Sequence, residues 1–215
     1  RDPEMSRGLG DVYKRQGVFI VCFCMVYNNY LCVTPIGEKK EKYGIIDGHL
    51  SQKYSCIYDS KNVKHVKKYT HGDSILEFLS AYSPDTEYYY YDAQEKKQYS
   101  SSVIIDGLEW MKDRKVKFVS ISLSSKFYSE ELQEWINANK NKVIVYASYN
   151  NELNTLDYPA GYKGVIGIGS SKKIKRKSND VIFRTNRIVA FFNGIRYYEG
   201  NSYLTPYVML RDSKK

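Results

Sequence analysis

Four side chains, far apart along the chain, are of the types that acyl transfer through a hydroxyl nucleophile requires. That chemistry needs the hydroxyl, a base to take its proton, a carboxylate to orient the base, and donors for the oxyanion. Ser202, His71, Asp47 and Asn150 are candidates for these parts. Each falls where α/β folds gather reactive groups, at the carboxyl end of a strand or the start of a helix. Asp47 closes the apolar run 43–46 (YGII), and Asn150 follows the apolar run 143–147 (VIVYA). His71 opens a helix at Thr70-His71-Gly72, and Ser202 begins a final helix after Gly200. Singly, none of these positions is evidence, because an Asp after a strand is usually a helix cap and a His before a helix usually does no chemistry. His49 lies near Asp47 but follows the strand end directly, without the helix-opening His-Gly context, so His71 is the preferred base. His65, amid Lys64, Lys67 and Lys68, reads as a surface residue.

The elements that must position these groups are legible from periodicity. From Lys42 onward, short β-branched runs alternate with amphipathic stretches, the pattern of βα units around a parallel sheet. Strands are expected at 43–46, 87–91, 117–123, 143–147, 164–169, 181–183 and 188–192. Ile75, Phe78, Leu79 and Tyr82 share one helical face, and Ile104, Ile105, Leu108 and Met111 share another. Ser101 or Ser102 is expected to cap the second of these helices. Ser129 is expected to cap a third, running to about Asn139 with Glu130 and Glu131 in its first turn. Pro206 falls in or near the first turn of the final helix, where its missing N–H matters least. Trp110 and Trp135 sit in expected helices and read as packing residues.

Bulk composition narrows the class. A chain of 215 residues holds one α/β domain, and 42% hydrophobic with 27% charged residues describes an ordinary globular protein. The net charge of +9 would suit nucleic acid, but 22 Tyr beside many Lys, Asn and Ile point to an AT-rich gene instead. The basic run 172–177 (KKIKRK) lies in an expected loop, 171–179, with no interleaved aromatics, and reads as solvated rather than as a nucleic-acid site. Cys22, Cys24, Cys32 and Cys56 show neither metal-ligand spacing nor a disulfide framework, so no metal site is expected. Residues 1–16 have no apolar periodicity and resemble non-native read-through. The apolar run 17–27 is too short to span a bilayer, and 17–41 has no assigned role. The folded domain is therefore expected over 42–215.

The order Asp, His, Ser, and the text around each residue, resemble the subtilisin-like serine proteases. Residues 200–208 (GNSYLTPYV) resemble the family's serine motif G-T-S-x-x-x-P-x-V, and Thr70-His71-Gly72 followed by Ser83-Pro84 resembles its histidine block. Residues 119–124 (VSISLS) are similar to its V-I-N-M-S-L-G strand, 143–150 (VIVYASYN) to the strand ending A-A-G-N, and 158–160 (YPA) before 164–169 to its next block. All run in family order. The resemblance implies a three-layer fold with a central, mostly parallel sheet flanked by helices. It implies a serine endopeptidase in which Ser202 attacks, His71 moves the proton and Asp47 orients it, while Asn150 and the Ser202 N–H bind the oxyanion. It implies further that Ser122, Leu123 and Ser124 pair with an extended peptide, and that Ala147, Ser148 and Tyr149 line the primary pocket. Many relatives bind calcium, but no site for it is identifiable here. The lean chain and short stretch ahead of Asp47 favour a cytoplasmic protein over a secreted one, or a gene truncated at both ends. Several positions depart from the family pattern: Gly48-His49 after Asp47, Asp73 after His71-Gly72, Tyr149 beside the pocket, and Asn201 before the serine. Asp73 is expected to cap the helix, and Tyr149 to narrow or close the pocket. The alternative is an inactive scaffold that binds peptides or protein partners through the same edge.

Overall fold

Alternation along the buried strands decides the layering. In β2 (Tyr43–Asp47) all five residues are buried, as in β4 (Tyr88–Asp92), the marks of parallel strands covered on both faces. Tyr43, Ile45, Tyr88 and Tyr90 enter one hydrophobic core, whereas Ile46, Tyr89 and Tyr91 enter a second on the opposite face. A computed structural model describes residues 29–37, 39–94, 99–151, 157–170 and 177–213. Segment 1–16, the run 17–27 with Cys22 and Cys24, and positions 171–176 of the basic loop lie outside the described residues.

The main sheet has seven strands, every pair parallel, in the order β3 (Ile57–Lys61), β4, β2, β5 (Phe118–Ile121), β6 (Ile144–Ser148), β7 (Ile166–Gly169) and β8 (Val181–Ile182). Helix α1 (His71–Tyr82) and helix α4 (Asn201–Asp212) cover the first face, and α2 (Ser101–Asp113) and α3 (Glu130–Asn139) cover the second. This is the three-layer α/β architecture with a parallel central sheet that the sequence led one to expect. A smaller sheet, β1 (Leu31–Val33), β9 (Arg187–Phe191) and β10 (Ile195–Glu199), packs on the α1 side through Val33, Ile188 and Ala190. Strand β1 runs parallel to β9, so residues ahead of position 42 take part in the fold. Strands β1, β3 and β10 were not expected, because they are short or mostly exposed and lack a clean apolar period.

Local corrections have local causes. Ser100, not Ser101 or Ser102, caps α2: its extended backbone lets its hydroxyl accept the Val103 N–H at 3.3 Å. Ser129 caps α3 through the Leu132 N–H as expected. Pro206 lies in the second turn of α4, one turn beyond the position where its missing N–H matters least. Lys177, counted in the solvated basic loop, instead points inward. Its ammonium donates to the carbonyls of Ala160, Tyr162 and Val165 and pairs with Asp180 at 3.4 Å. Burial pulls its pKa down, and Asp180 offsets that only in part. Trp110 packs on Tyr89 and Tyr91 beneath the Arg114 guanidinium, and Trp135 donates its indole N–H to Glu109, both packing roles.

Candidate active site

Strand β2 lies where the order of the sheet reverses, with β3 and β4 added on one side and β5 onward on the other. A crevice opens at the carboxyl ends of strands at such a point, and Asp47 is the last residue of β2. Its carboxylate is fully buried and accepts the Gly48 N–H at 2.7 Å. His71 is the first residue of α1, held by a capping box in which Asp73 N–H donates to the Thr70 hydroxyl at 3.1 Å and Thr70 N–H donates to the Asp73 carboxylate at 2.7 Å. Asp73 also accepts the Ser51 N–H and the Tyr54 hydroxyl, so its charge is committed to the cap, as expected, rather than to the histidine.

The His71 ring meets Asp47 directly. Nδ1 lies 2.8 Å and 3.0 Å from the two carboxylate oxygens. With Asp47 ionised, Nδ1 carries the proton and Nε2 is left as an acceptor. The His71 side chain is 44% exposed while that of Asp47 is 0% exposed, so the pair joins a buried carboxylate to a solvent-accessible imidazole. Burial pulls the imidazole pKa down, but the Asp47 charge and hydrogen bond outweigh it and leave it above the ordinary histidine value. Beneath the pair, the Tyr90 hydroxyl donates to the Gly48 carbonyl at 2.5 Å. A Cβ at Gly72 would lie 2.2 Å from that hydroxyl oxygen, which is the steric reason glycine follows His71.

Ser202 stands in the first turn of α4, after Gly200 at φ 136°, a backbone that favours glycine. Pro206, four residues on, has no N–H to give the Ser202 carbonyl. The Ser122 hydroxyl donates to that carbonyl instead, at 3.0 Å. Helices α1 and α4 pack together, and Ser74 Oγ lies 2.5 Å from Tyr203 Oη. This contact ties the start of α1, which carries His71, to the start of α4, which carries Ser202. Among the described residues no hydrogen bond joins the Ser202 hydroxyl to His71. Asn150 follows β6, and its backbone is tied to α4 through Asn201, whose amide donates to the carbonyls of Tyr149 and Asn150.

The expected substrate-binding residues divide. Leu123 and Ser124 line a cleft with Tyr99, Phe127, Tyr158 and Tyr162, and Ser125 bridges Tyr158 in antiparallel register. The side chain of Ser122 is engaged with Ser202, while Ala147 and Ser148 are buried within β6. Tyr149 is buried against Gly167, with its hydroxyl donating to Asp180 at 2.8 Å, so its ring is part of the packing between β6 and β7. The structure adds a second pair, His49 Nδ1 on Asp92 at 2.8 Å, which the sequence reading does not contain. Its signal was the same one that marks Asp47, a carboxylate closing an apolar run. Among the described residues there is no group of three His, Cys, Asp or Glu side chains able to hold a metal, and no helix long and apolar enough to cross a membrane.

The model of the subtilase family, peptidase S8, matches residues 61–206, a stretch containing His71, Asn150 and Ser202, with Asp47 ahead of it. No curated protein matches the chain in sequence. Among solved structures, the protease domain of PatA is 12% identical, covers 80% of this chain and 78% of its own, and superposes with a TM-score of 0.62. A cold-adapted subtilisin-like serine proteinase is 15% identical, with coverage of 82% and 76% and a TM-score of 0.59. The prenylagaramide maturation protease PagA is 16% identical, with coverage of 79% and 72% and a TM-score of 0.57. These likenesses concern the fold, and the family match covers more than half of the sequence. The chain belongs to the subtilase family.

Proposed function

We propose that this protein is a serine endopeptidase. Ser202 Oγ attacks the scissile carbonyl, His71 Nε2 takes its proton and returns it to the leaving amine, and Asp47 holds the imidazole in the required tautomer. The Asn150 side-chain amide and the Ser202 N–H, at the positive end of α4, receive the developing oxyanion. The extended substrate lies along residues 122–124, pairing backbone to backbone beside the cleft lined by Leu123 and Ser124.

The observation that carries this reading is the bond from His71 Nδ1 to the fully buried Asp47, made by a histidine that is itself 44% exposed and opens a helix packed on the one that carries Ser202. A fluorophosphonate probe, which reacts with activated serines, should label the wild-type protein and not Ser202→Ala. One observation favours a second reading, a peptide-binding scaffold without turnover: the Ser202 hydroxyl is not bonded to His71. Active-site bonds often tighten only when substrate is present. Folded wild-type protein that binds peptides yet takes no label would decide for the scaffold.

A further inference from the structure

Asn201 occupies the position before the proposed nucleophile and is 2% exposed. The helix it begins has Gly200 as its N-cap and so no side-chain cap. Asn201 Nδ2 donates to the Tyr149 carbonyl at 2.9 Å and to the Asn150 carbonyl at 3.2 Å. Its own N–H donates to Asn151 Oδ1 at 2.8 Å. Three bonds thus run from one residue to three consecutive residues of the β6 exit. Its carbonyl is held by the Thr205 hydroxyl at 2.9 Å, and the next carbonyl, of Ser202, by Ser122 at 3.0 Å.

The orientation of the amide follows from this network: flipped, Oδ1 would face two carbonyl oxygens. In the orientation present, Oδ1 is buried without a hydrogen-bond partner among the described residues, an arrangement that costs stability. Threonine or serine would avoid that cost but would bring one donor where two carbonyls wait. Asparagine is therefore suited to joining both carbonyls rather than to saving free energy.

We infer that Asn201 is the positioning residue of the oxyanion site, fixing the β6 exit that carries Asn150 against the first turn that carries the Ser202 N–H. The inference rests on the proposed protease reading, in which those two donors must converge on one oxygen. Donors of this kind stabilise a transition state only when their spacing is set before the reaction. With the Asn201 N–H occupied by Asn151, the Ser202 N–H lies in the turn where helical amides have no intrahelical acceptor.

The test is a double-mutant cycle on peptide hydrolysis. Asn201→Leu should lower kcat on the order of 10- to 100-fold with KM changed less than about 3-fold, and Asn201→Thr, which keeps one donor, should recover part of the loss. Combined with Asn150→Ala, Asn201→Leu should add little further loss, since the donor it positions is already gone. Additive losses, or a fall tracking only the thermal stability of each variant, would overturn the assignment. Wild-type protein that takes no fluorophosphonate label would refute the protease reading separately. The crystal structure of Asn201→Leu would then judge the positioning role: Asn150 displaced from the Ser202 N–H supports it, and unchanged geometry overturns it.

Discussion

Two Asp–His pairs stand side by side on the same rim, and their contrast explains what makes one of them a candidate for catalysis. Asp47 and Asp92 are register partners at the ends of β2 and β4, both are buried, and each holds a histidine Nδ1 at 2.8 Å. Their surroundings differ. Asp92 also accepts the backbone N–H groups of Lys64 and Gln94, while the His49 carbonyl accepts the Thr70 hydroxyl, so that pair braces three loop segments. The His49 side chain is 16% exposed against 44% for His71. His71 opens a helix packed on the one that carries Ser202. A buried carboxylate beneath an imidazole is thus not a catalytic device by itself. The proposed protease role asks, in addition, that the far edge of the ring meet a nucleophile with oxyanion donors beside it.

The largest expected effect breaks that symmetry outright. His71→Ala should lower kcat/KM by about 10⁴-fold or more, whereas His49→Ala should leave it within about 10-fold of wild type. Equal losses in a peptide-hydrolysis assay would make the two pairs functionally equivalent and refute the contrast. Substitution of the carboxylates should separate the roles further. Asp47→Asn should cut kcat on the order of 10⁴-fold by permitting the wrong tautomer. Asp92→Asn should spare the rate and instead cost about 1–3 kcal/mol of stability, read from denaturant melts, because an amide nitrogen would face backbone donors.

The pH profile sharpens the same point. The raised His71 pKa means that the base keeps its proton to higher pH, so activity should fall as pH drops through a midpoint above the ordinary histidine value. Asp47→Asn should move the midpoint of any residual activity downward, since the charge that holds the proton is gone. An unmoved midpoint would show that another group controls the acid limb. The smallest effect concerns the hydroxyl beneath both pairs. Tyr90→Phe frees the Gly48 carbonyl, lying between Asp47 and His49, and should cost about 1 kcal/mol with less than about a 10-fold loss in rate.

Much of the sheet could be read from the sequence because its strands are continuous apolar runs, and periodicity reports burial. The edge elements could not, since β3 and β10 are largely exposed and owe their conformation to their neighbours. Thr70-His71-Gly72 reveals a helix start, yet the reason for Gly72 is a tyrosine eighteen residues later. Tyr149 shows the limit of reading by analogy. Its position beside the expected pocket is plain, but the direction of its ring is set by the space above Gly167 and by Asp180. Lys177 teaches the same lesson, for a lysine in a basic run is solvated until carbonyls converge on it.

The sequence by itself determined the alternation of strands and helices, the family, and the four side chains proposed for the chemistry, because residue type and period are local properties. Only the tertiary structure decided which histidine sits on which aspartate, that Pro206 leaves the Ser202 carbonyl to Ser122, and that Asn201 ties the β6 exit to α4. Those are pairings between residues about 24 to 80 positions apart, and hydrogen bonds depend on ångström-scale geometry that no linear spacing encodes.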